Sequence, residues 1–236
     1  LDGTGAGTDG TVWGGEVMIA SLSGFTRMAH LKPWRLPAGM ASVRDARRNA
    51  FSLLHSCELL DHPGARMLVE GLSEAERAVT ATMIERGLNS PLTSSMGRLL
   101  DAMAAMLGIC LNATYEGEPA IKLEAAAWRA LGTDDARRAH DRADSSDYRF
   151  ALQEQPVSAP DEQTRQRRSR VGEHAIDQVI ELDPTPMVRA ALDDLMAGRP
   201  VEAIAADVHF AAAKAVCDAS IQIARRSGIR NVALSG

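Results

Sequence analysis

The first 16 residues hold the densest set of groups that could bind a phosphate or a metal ion. They read LDGTGAGTDGTVWGGE, with a glycine at almost every second position. Glycine has no Cβ, so backbone N–H groups can converge on a phosphate, and the hydroxyl of Thr4 can add a further donor. Asp2 stands where a strand would give way to the loop, a suitable place for a carboxylate that binds a metal ion, although an Asp before Gly is also a common turn residue.

The spacing of Gly5, Gly7 and Gly10 formally satisfies the pattern G-x-G-x-x-G. A dinucleotide-binding loop must open a helix, whereas here a strand-like segment containing Gly14 and Gly15 follows. No Gly-Lys-Ser/Thr follows either, which excludes a P-loop. The remaining interpretation is a glycine hairpin between two strands, the device by which actin-like and sugar-kinase-like folds hold phosphate. Two tight turns without any ligand remain the alternative.

Two further clusters carry polar groups at positions suited to a nucleotide. Gly97 and Asp101 fall in the first turns of a predicted helix over 93–107, where free N–H groups and the helix dipole favour an anion. Arg98 and Asp101 are three positions apart, so an ion pair on the helix surface explains them equally well. The acidic turn 116–118 could bind ribose hydroxyls, but acidic turns are also common without a ligand.

Histidine and cysteine give no sign of a complete catalytic or zinc site. The six histidines show no ligand spacing, and the three cysteines, an odd number, lie far apart in the chain. No Ser-His-Asp or Cys-His arrangement can be defended, so no side chain is assigned as catalytic. The absence of a disulfide framework indicates a reducing compartment, and we expect a cytoplasmic protein.

The periodicity of apolar residues predicts a mixed α/β domain with long helices flanking a sheet. Ser73 and Glu76 form the sequence pattern of a capping box. The charged, proline-containing residues 153–175 predict a mobile, dispensable insertion. The predicted strands cover 11–22, 148–152 and 231–234, an extended connection covers 31–40, and helices start at Ser42 and cover 73–86, 93–107, a stretch ending at Leu131, 186–197 and 201–226.

Composition excludes several classes of protein. The chain has 236 residues, of which 45% are apolar and 24% charged, enough for a sizeable core. A net charge of −5 and an aromatic content of 4% argue against a nucleic-acid partner. No run approaches the roughly 18 consecutive apolar residues of a membrane helix, so no membrane partner is expected.

Several segments together resemble the C-terminal actin-like domain of the hydrogenase-maturation carbamoyltransferase family. This family is related to the enzymes that form threonylcarbamoyladenosine in tRNA and to O-carbamoyltransferases. The resemblance implies an actin-like or sugar-kinase-like (ribonuclease H-like) fold, mostly its second lobe. The segments that carry it are 1–16, 30–37, 86–91, 93–107, 114–124 and 232–236.

The resemblance also implies a two-step chemistry and a set of binding residues. Carbamoyl phosphate and ATP would give carbamoyl adenylate, whose carbamoyl group would pass to the C-terminal cysteine thiol of a maturation partner. Asp2 would ligate a divalent metal. The residues that would bind phosphate or nucleotide are Gly3, Thr4, Gly5, Gly97, Asp101, Gly117, Ser235 and Gly236.

Two departures from the family pattern limit these expectations. The family's paired metal-binding histidines would lie before Leu1, and its further acidic ligand would lie beyond Gly236. We therefore expect a fragment of one domain, 1–236, truncated at both ends and inactive alone. Two other classes stay open: a small-molecule kinase of the same fold, and a non-catalytic nucleotide-binding module.

Overall fold

A computed structural model of the chain describes residues 4–22, 24–131, 147–156 and 178–235. Within these residues, eight strands form two sheets and eight α-helices pack on and around them, which confirms the predicted mixed α/β class. The strands are β1 (Gly5–Ala6), β2 (Val12–Trp13), β3 (Glu16–Ser21), β4 (Gly24–Leu31), β5 (Trp34–Arg35), β6 (Leu92–Thr93), β7 (Ala151–Pro156) and β8 (Gln178–Asp183). The helices are α1 (Met40–Arg44), α2 (Ala46–Ser56), α3 (Arg66–Glu70), α4 (Glu74–Arg86), α5 (Met96–Met106), α6 (Glu118–Leu131), α7 (Thr185–Met196) and α8 (Val201–Ser227).

The two sheets differ in size and in what they position. The order of the smaller sheet is β1-β2-β6-β5, with β2 and β6 parallel, so the glycine-rich segment lies beside the strand that leads into α5. The order of the larger sheet is β3-β4-β8-β7, in which only the central pair β4 and β8 is parallel. Its central pairs, Ala29 with Ile180 and Leu31 with Leu182, are apolar and buried.

The helices with the clearest sequence signals form where they were predicted. The capping box of α4 is present: the Ser73 hydroxyl accepts from Glu76 N at 3.3 Å, and the Glu76 carboxylate accepts from Ser73 N at 2.8 Å. Gly87 ends α4 in the left-handed conformation, with φ 66°. Helices α2, α5, α6 and α8 share one apolar core, in which Leu53, Leu99 and other side chains are fully buried. No helix in the described part of the chain is long and apolar enough to span a membrane.

The helix expected to start at Ser42 is instead two helices that meet at Asp45. Asp45 leaves the helical conformation (φ −102°, ψ 90°) and forms an isolated bridge with Asn112. Its carboxylate then accepts from Arg47 N at 3.2 Å and caps α2. The Ser42 hydroxyl does not cap a helix but donates to the Pro37 carbonyl. A contact with a distant loop interrupts the helix, which local periodicity cannot reveal.

Two expectations about sequence ends and insertions need correction. The strand predicted over 148–152 overlaps β7 only at residues 151–152, because 148–150 are irregular and β7 covers Ala151–Pro156. Residues 153–156 therefore belong to the larger sheet. The remainder of the predicted insertion, 157–175, lies outside the described residues. Residues 231–234, expected to form a buried strand, are irregular, and Val232 and Leu234 are 65% and 81% exposed. Within the described ranges they pair with no strand, although β3 lines the same cleft as they do.

Gly15 is required where β3 passes the start of α5. A Cβ on Gly15 would lie 2.4 Å from the Ser94 carbonyl oxygen and 2.7 Å from Leu31 Cδ1. We expect Gly15→Ala to lower the free energy of unfolding by about 2 kcal/mol, because a backbone carbonyl cannot move aside freely. Thermal denaturation measures the change. Gly71→Ala is the control, since its Cβ would come no closer than 3.1 Å to any atom. Equal melting temperatures for the two variants would contradict the expectation.

Candidate functional site

The structure describes six of the nine residues that the sequence assigned to a site. Asp2, Gly3 and Gly236 lie outside the described residues, so their predicted roles stay predictions. The six within it fall into two neighbouring groups. Thr4, Gly97, Asp101 and Gly117 surround the start of α5, whereas Gly5 and Ser235 line a cleft beside β3 and α8.

The glycine-rich segment is a hairpin of two short strands, as predicted. Gly5 pairs with Trp13, and the loop between the strands closes through a hydrogen bond from Gly7 N to the Thr11 carbonyl at 2.9 Å. Gly10 has φ 79°, which a side chain would strain. A Cβ on Gly7 would lie 2.4 Å from Trp13 Nε1. The glycines therefore let the hairpin close tightly against an aromatic ring, with part of their N–H groups bonded inside the loop.

Asp9 organises this hairpin, a role that the sequence analysis missed. One oxygen, Oδ1, accepts from Thr11 N at 3.0 Å, the Thr11 hydroxyl at 2.6 Å and Trp13 Nε1 at 3.0 Å. The other accepts from Arg27 Nη1 at 2.9 Å, and Arg27 also stacks 4.6 Å above the Trp13 ring. Burial alone would raise the pKa of Asp9, but the Thr11 hydrogen bonds and the Arg27 charge outweigh it and lower the pKa. The Asp-Gly-Thr turn was the available signal.

The start of α5 is fixed against the hairpin. Ser94 N and the Thr93 hydroxyl both donate to the Val12 carbonyl, at 2.9 and 3.1 Å. The Ser95 hydroxyl accepts from Arg98 N at 3.1 Å and caps the start of the helix. Gly97 therefore lies in the first turn of α5, close to the hairpin, as its predicted role in nucleotide binding requires.

Arg98 and Asp101 form a buried ion pair, which overturns the alternative of a surface pair. Arg98 Nη2 lies 2.7 Å from Asp101 Oδ2, and each side chain is only 1% exposed. Asp101 Oδ1 accepts from Ala120 N at 3.2 Å, so this carboxylate also holds the first turn of α6. Burial raises the pKa of Asp101 even though Arg98 opposes the shift. Asp101 therefore connects α5 to α6, in addition to any contact with a ligand.

The turn before α6 brings an acidic residue to the hairpin. Glu116 Oε1 accepts from the Thr4 hydroxyl at 3.2 Å and lies 3.9 Å from Arg98 Nη1. Gly117, next to it, has φ 82°, and a Cβ there would meet no atom within 4 Å. Glu116 thus connects the hairpin, through Thr4, with the first turn of α5, through Arg98. From the sequence, Glu116 was identified only as one member of an acidic turn.

Glu118 holds this turn in place. Its carboxylate accepts from Thr114 N at 2.6 Å and from the Thr114 hydroxyl at 2.8 Å, and it pairs with Lys122 Nζ at 2.7 Å. The Lys122 contact and the two Thr114 hydrogen bonds lower the pKa of Glu118 from 4.5 to about 2.

This shift predicts an acid-sensitive contribution of Glu118 to stability. The folded-state pKa is below the unfolded value, so the contribution is complete above about pH 4.5 and disappears as the pH falls through about 2. We expect Glu118→Gln to melt below the wild type at pH 7 and together with it near pH 2. Glu124→Gln, on the exposed side of α6, is the control. A wild-type advantage that does not change with pH would contradict the expectation.

Gly5 and Ser235 line a cleft of about 590 Å³. One wall is formed by the hairpin and β3, and the other by the last turns of α8 and the tail that follows it. Tertiary structure therefore brings opposite ends of the sequence together, as the predicted phosphate and nucleotide site requires. Gly97, Asp101 and Gly117 do not line this cleft.

Comparison with known families decides the assignment of the fold. Residues 1–236 match the family described as the carbamoyltransferase, Kae1-like domain, second subdomain. The chain belongs to this family. The resemblance stated from sequence motifs is confirmed, and so is the expected actin-like fold class.

Relatives of this carbamoyltransferase family cover the chain to different extents. The carbamoyltransferase HypF homolog of Cupriavidus necator is 34% identical over 239 residues, which is 100% of this chain and 52% of the relative. The HypF of Rhodobacter capsulatus is 44% identical over 129 residues, 54% of this chain and 17% of that protein. The chain therefore spans about half the length of the first relative and less than a fifth of the second.

Two solved HypF structures share the fold of this chain. Full-length HypF in its phosphate- and nucleotide-bound form superposes with a TM-score of 0.73 and 26% identity, covering 97% of this chain and 25% of that one. HypF of T. kodakarensis superposes with a TM-score of 0.69 and 28% identity, covering 100% of this chain and 27% of that one.

The residues described for this family member do not by themselves form a metal site. Within the described ranges, no group of three or more His, Cys, Asp or Glu side chains could hold a metal ion. Two of the thiols are poor nucleophiles: Cys57 and Cys110 are buried, and burial raises the pKa of both, that of Cys57 to about 11. The third cysteine, Cys217, is exposed on α8.

Proposed function

We propose that this chain forms the nucleotide-binding part of a carbamoyltransferase that acts in hydrogenase maturation. Its substrate would be carbamoyl adenylate, made from carbamoyl phosphate and ATP, and its acceptor the C-terminal cysteine thiol of a partner protein. The observation that carries the proposal is the cleft in which Gly5 of the hairpin meets Ser235 of the tail. Most of the cleft lining is apolar and suits the base of a nucleotide, while the glycine hairpin at its edge suits the phosphate.

Family relationships support the choice of reaction. The relatives are named carbamoyltransferase HypF, and one solved HypF contains phosphate and a nucleotide. These names favour carbamoyl transfer over the small-molecule kinase that the sequence left open. Use of ATP by this chain rests on the same relatives.

The proposed transfer step needs an acceptor thiol and a leaving group that is held in place. The sulfur attacks the carbamoyl carbon, the bond from that carbon to the phosphate oxygen of AMP breaks, and AMP leaves with the electron pair while the thiol proton is released. The Thr4 hydroxyl is suited to donate to the phosphate, and backbone N–H groups of the hairpin that are not bonded within the loop are suited to the same task. The buried, protonated Cys57 and Cys110 favour an acceptor thiol from another protein.

The divalent metal expected at Asp2 remains part of the proposal, since Asp2 lies outside the described residues. The cytoplasmic location and the identity of the acceptor likewise remain parts of the proposal. The partner is defined here by its chemistry alone, a flexible chain end with a free thiol.

A chimaera tests the proposal directly. The segment of T. kodakarensis HypF that superposes on this chain is replaced by residues 1–236. With ATP and carbamoyl phosphate, we expect the chimaera to modify a peptide that ends in cysteine, with a mass increase equal to one carbamoyl group. The same peptide ending in serine is the control and should stay unmodified.

Two outcomes would overturn the proposal. A folded chimaera that binds ATP without modifying the peptide would favour the non-catalytic nucleotide-binding module. A chimaera that transfers phosphate to a small molecule instead would favour the kinase.

A further inference from the structure

Arg98 carries hydrogen-bond donors that the folded chain leaves unused. Its side chain is 1% exposed, and within the described residues neither Nε nor Nη1 has a hydrogen-bond partner. Buried guanidinium donors without partners are costly and uncommon in folded proteins. Asp101 neutralises only one corner of the guanidinium, at Nη2. The other corner, Nη1, points towards Glu116 at 3.9 Å, beyond hydrogen-bond distance.

A single carboxylate oxygen occupies the space in front of this unused donor. Glu116 Oε1 accepts from the Thr4 hydroxyl at 3.2 Å and faces Arg98 Nη1 at 3.9 Å. The Glu116 side chain is 58% exposed, so it can swing into solvent without unfolding its surroundings. Arg98 itself is fixed from both sides, by the Asp101 carboxylate and by its place in the first turn of α5.

We propose that Arg98 Nη1 and the Thr4 hydroxyl form a binding position for a phosphate-type oxyanion, and that Glu116 occupies this position when no ligand is bound. The incoming oxyanion displaces the Glu116 carboxylate and gives Arg98 Nη1 the acceptor that it lacks. The N-terminal end of α5, an 11-residue helix, adds a favourable dipole. Guanidinium groups suit phosphate oxygens because their planar donors match the spacing of those oxygens.

This inference rests on the proposed function and adds to it a position for the anion beside the cleft. Gly5, the neighbour of Thr4, lines the cleft, whereas Arg98 and Glu116 lie outside its lining. The inference makes Glu116 a competitor of the substrate rather than a ligand of it. The oxyanion could belong to a nucleotide or to a free phosphate, and both present the same chemistry to Arg98.

Binding measurements on the 236-residue chain test the inference without any turnover. Inorganic phosphate, AMP and adenosine are titrated by calorimetry into the wild type, Glu116→Gln and Glu124→Gln. Glu124→Gln removes the same charge from the exposed face of α6 and is the matched control. We expect Glu116→Gln to bind phosphate about two- to fivefold more tightly than the wild type, the effect of removing one exposed competing charge. The control should match the wild type, and adenosine should respond to neither substitution.

A second pair of variants identifies the donors. In the Glu116→Gln background, Arg98→Lys should weaken phosphate binding by about tenfold, since an ammonium cannot reproduce the guanidinium geometry. Should Arg98→Lys fail to fold, Thr4→Val replaces it, because Thr4 is exposed and its loss removes only the hydroxyl. Tighter binding of AMP than of phosphate would assign the oxyanion to a nucleotide, and equal binding would assign it to free phosphate.

The inference is wrong if Glu116→Gln and Glu124→Gln bind phosphate and AMP equally, or if none of the proteins binds either ligand. It is also wrong if loss of the Arg98 guanidinium or of the Thr4 hydroxyl leaves the affinity unchanged. These results are distinct from failure of the proposed function, which appears only as loss of carbamoyl transfer in the chimaera.

Discussion

Asp101→Ala should lower the free energy of unfolding by about 3–5 kcal/mol, because it leaves the charge of Arg98 buried and unpaired. Both side chains are 1% exposed and 2.7 Å apart, so water cannot take the place of the lost carboxylate without opening the core. The substitution also removes the acceptor of Ala120 N at the start of α6. For a chain of this length the expected fall in melting temperature is roughly 6–20 °C.

Asp218→Ala is the control for this prediction. Asp218 pairs with Lys214 at 3.2 Å on the surface of α8, and both side chains are about 40% exposed (41% and 39%). Loss of an exposed pair should cost less than about 1 kcal/mol. Circular dichroism during heating measures the loss of stability in both variants. Equal losses for the two variants would show that the Arg98–Asp101 pair is no more important than a surface contact.

The same substitution bears on nucleotide binding. If adenine nucleotides bind this chain, Asp101→Ala should weaken their binding, since Asp101 fixes both Arg98 and the start of α6. Asp101→Asn keeps the shape and one acceptor oxygen, so it should recover part of the stability. Weaker binding by Asp101→Asn at a temperature where it remains folded would favour direct contact of the carboxylate with the ligand.

Asp9→Ala should lower the free energy of unfolding by about 2–4 kcal/mol, the second largest loss among these substitutions. It removes the acceptor of four hydrogen bonds, each worth around 1 kcal/mol, and exposure of the Asp9 side chain (45%) limits the total. The hairpin would lose its closure, and Arg27 would keep its contact with the Trp13 ring and its attraction to Glu16. Thermal denaturation measures the loss of stability, and hydrogen exchange at Trp13 Nε1 reports on the hairpin itself.

Asp9→Asn refines this second prediction. Its remaining carbonyl oxygen can still accept from Thr11 and Trp13, while its amide group cannot accept from Arg27. We therefore expect an intermediate stability and slow exchange at Trp13 Nε1. Were Asp9→Ala to melt with the wild type and exchange equally slowly at that position, the hairpin would be held by its glycines and strand pairing alone.

Short-range signals accounted for much of the secondary structure. The capping box at Ser73, the cap at Ser95 and the stop at Gly87 set the ends of α4 and α5 through contacts within one helical turn. The glycine hairpin was predicted because a strand, not a helix, follows it. The motifs together also identified the family, because the order of short segments along a chain can be compared without knowing their packing.

Local patterns failed wherever a distant segment decided the conformation. The break at Asp45 depends on its bridge to Asn112, and β7 extends to Pro156 because β8 pairs with it. For Asp45 and β7 the deciding hydrogen bonds come from residues far away in sequence, so no window of the sequence contains them. Residues 231–234 are apolar enough for a buried strand, yet they pair with no strand of the described residues.

The candidate site shows the same division between what local sequence and what long-range packing determine. The sequence by itself selected Thr4, Gly97, Asp101 and Gly117 as residue types suited to a phosphate or nucleotide. Only the tertiary structure decided that Arg98 is buried, that Asp101 pairs with it, and that Glu116 reaches the Thr4 hydroxyl. Burial and charge pairing depend on which helices pack together, here α5 with α6 beneath the hairpin. Residue types along a chain specify which chemistry is available, whereas packing specifies which of those groups are left without partners.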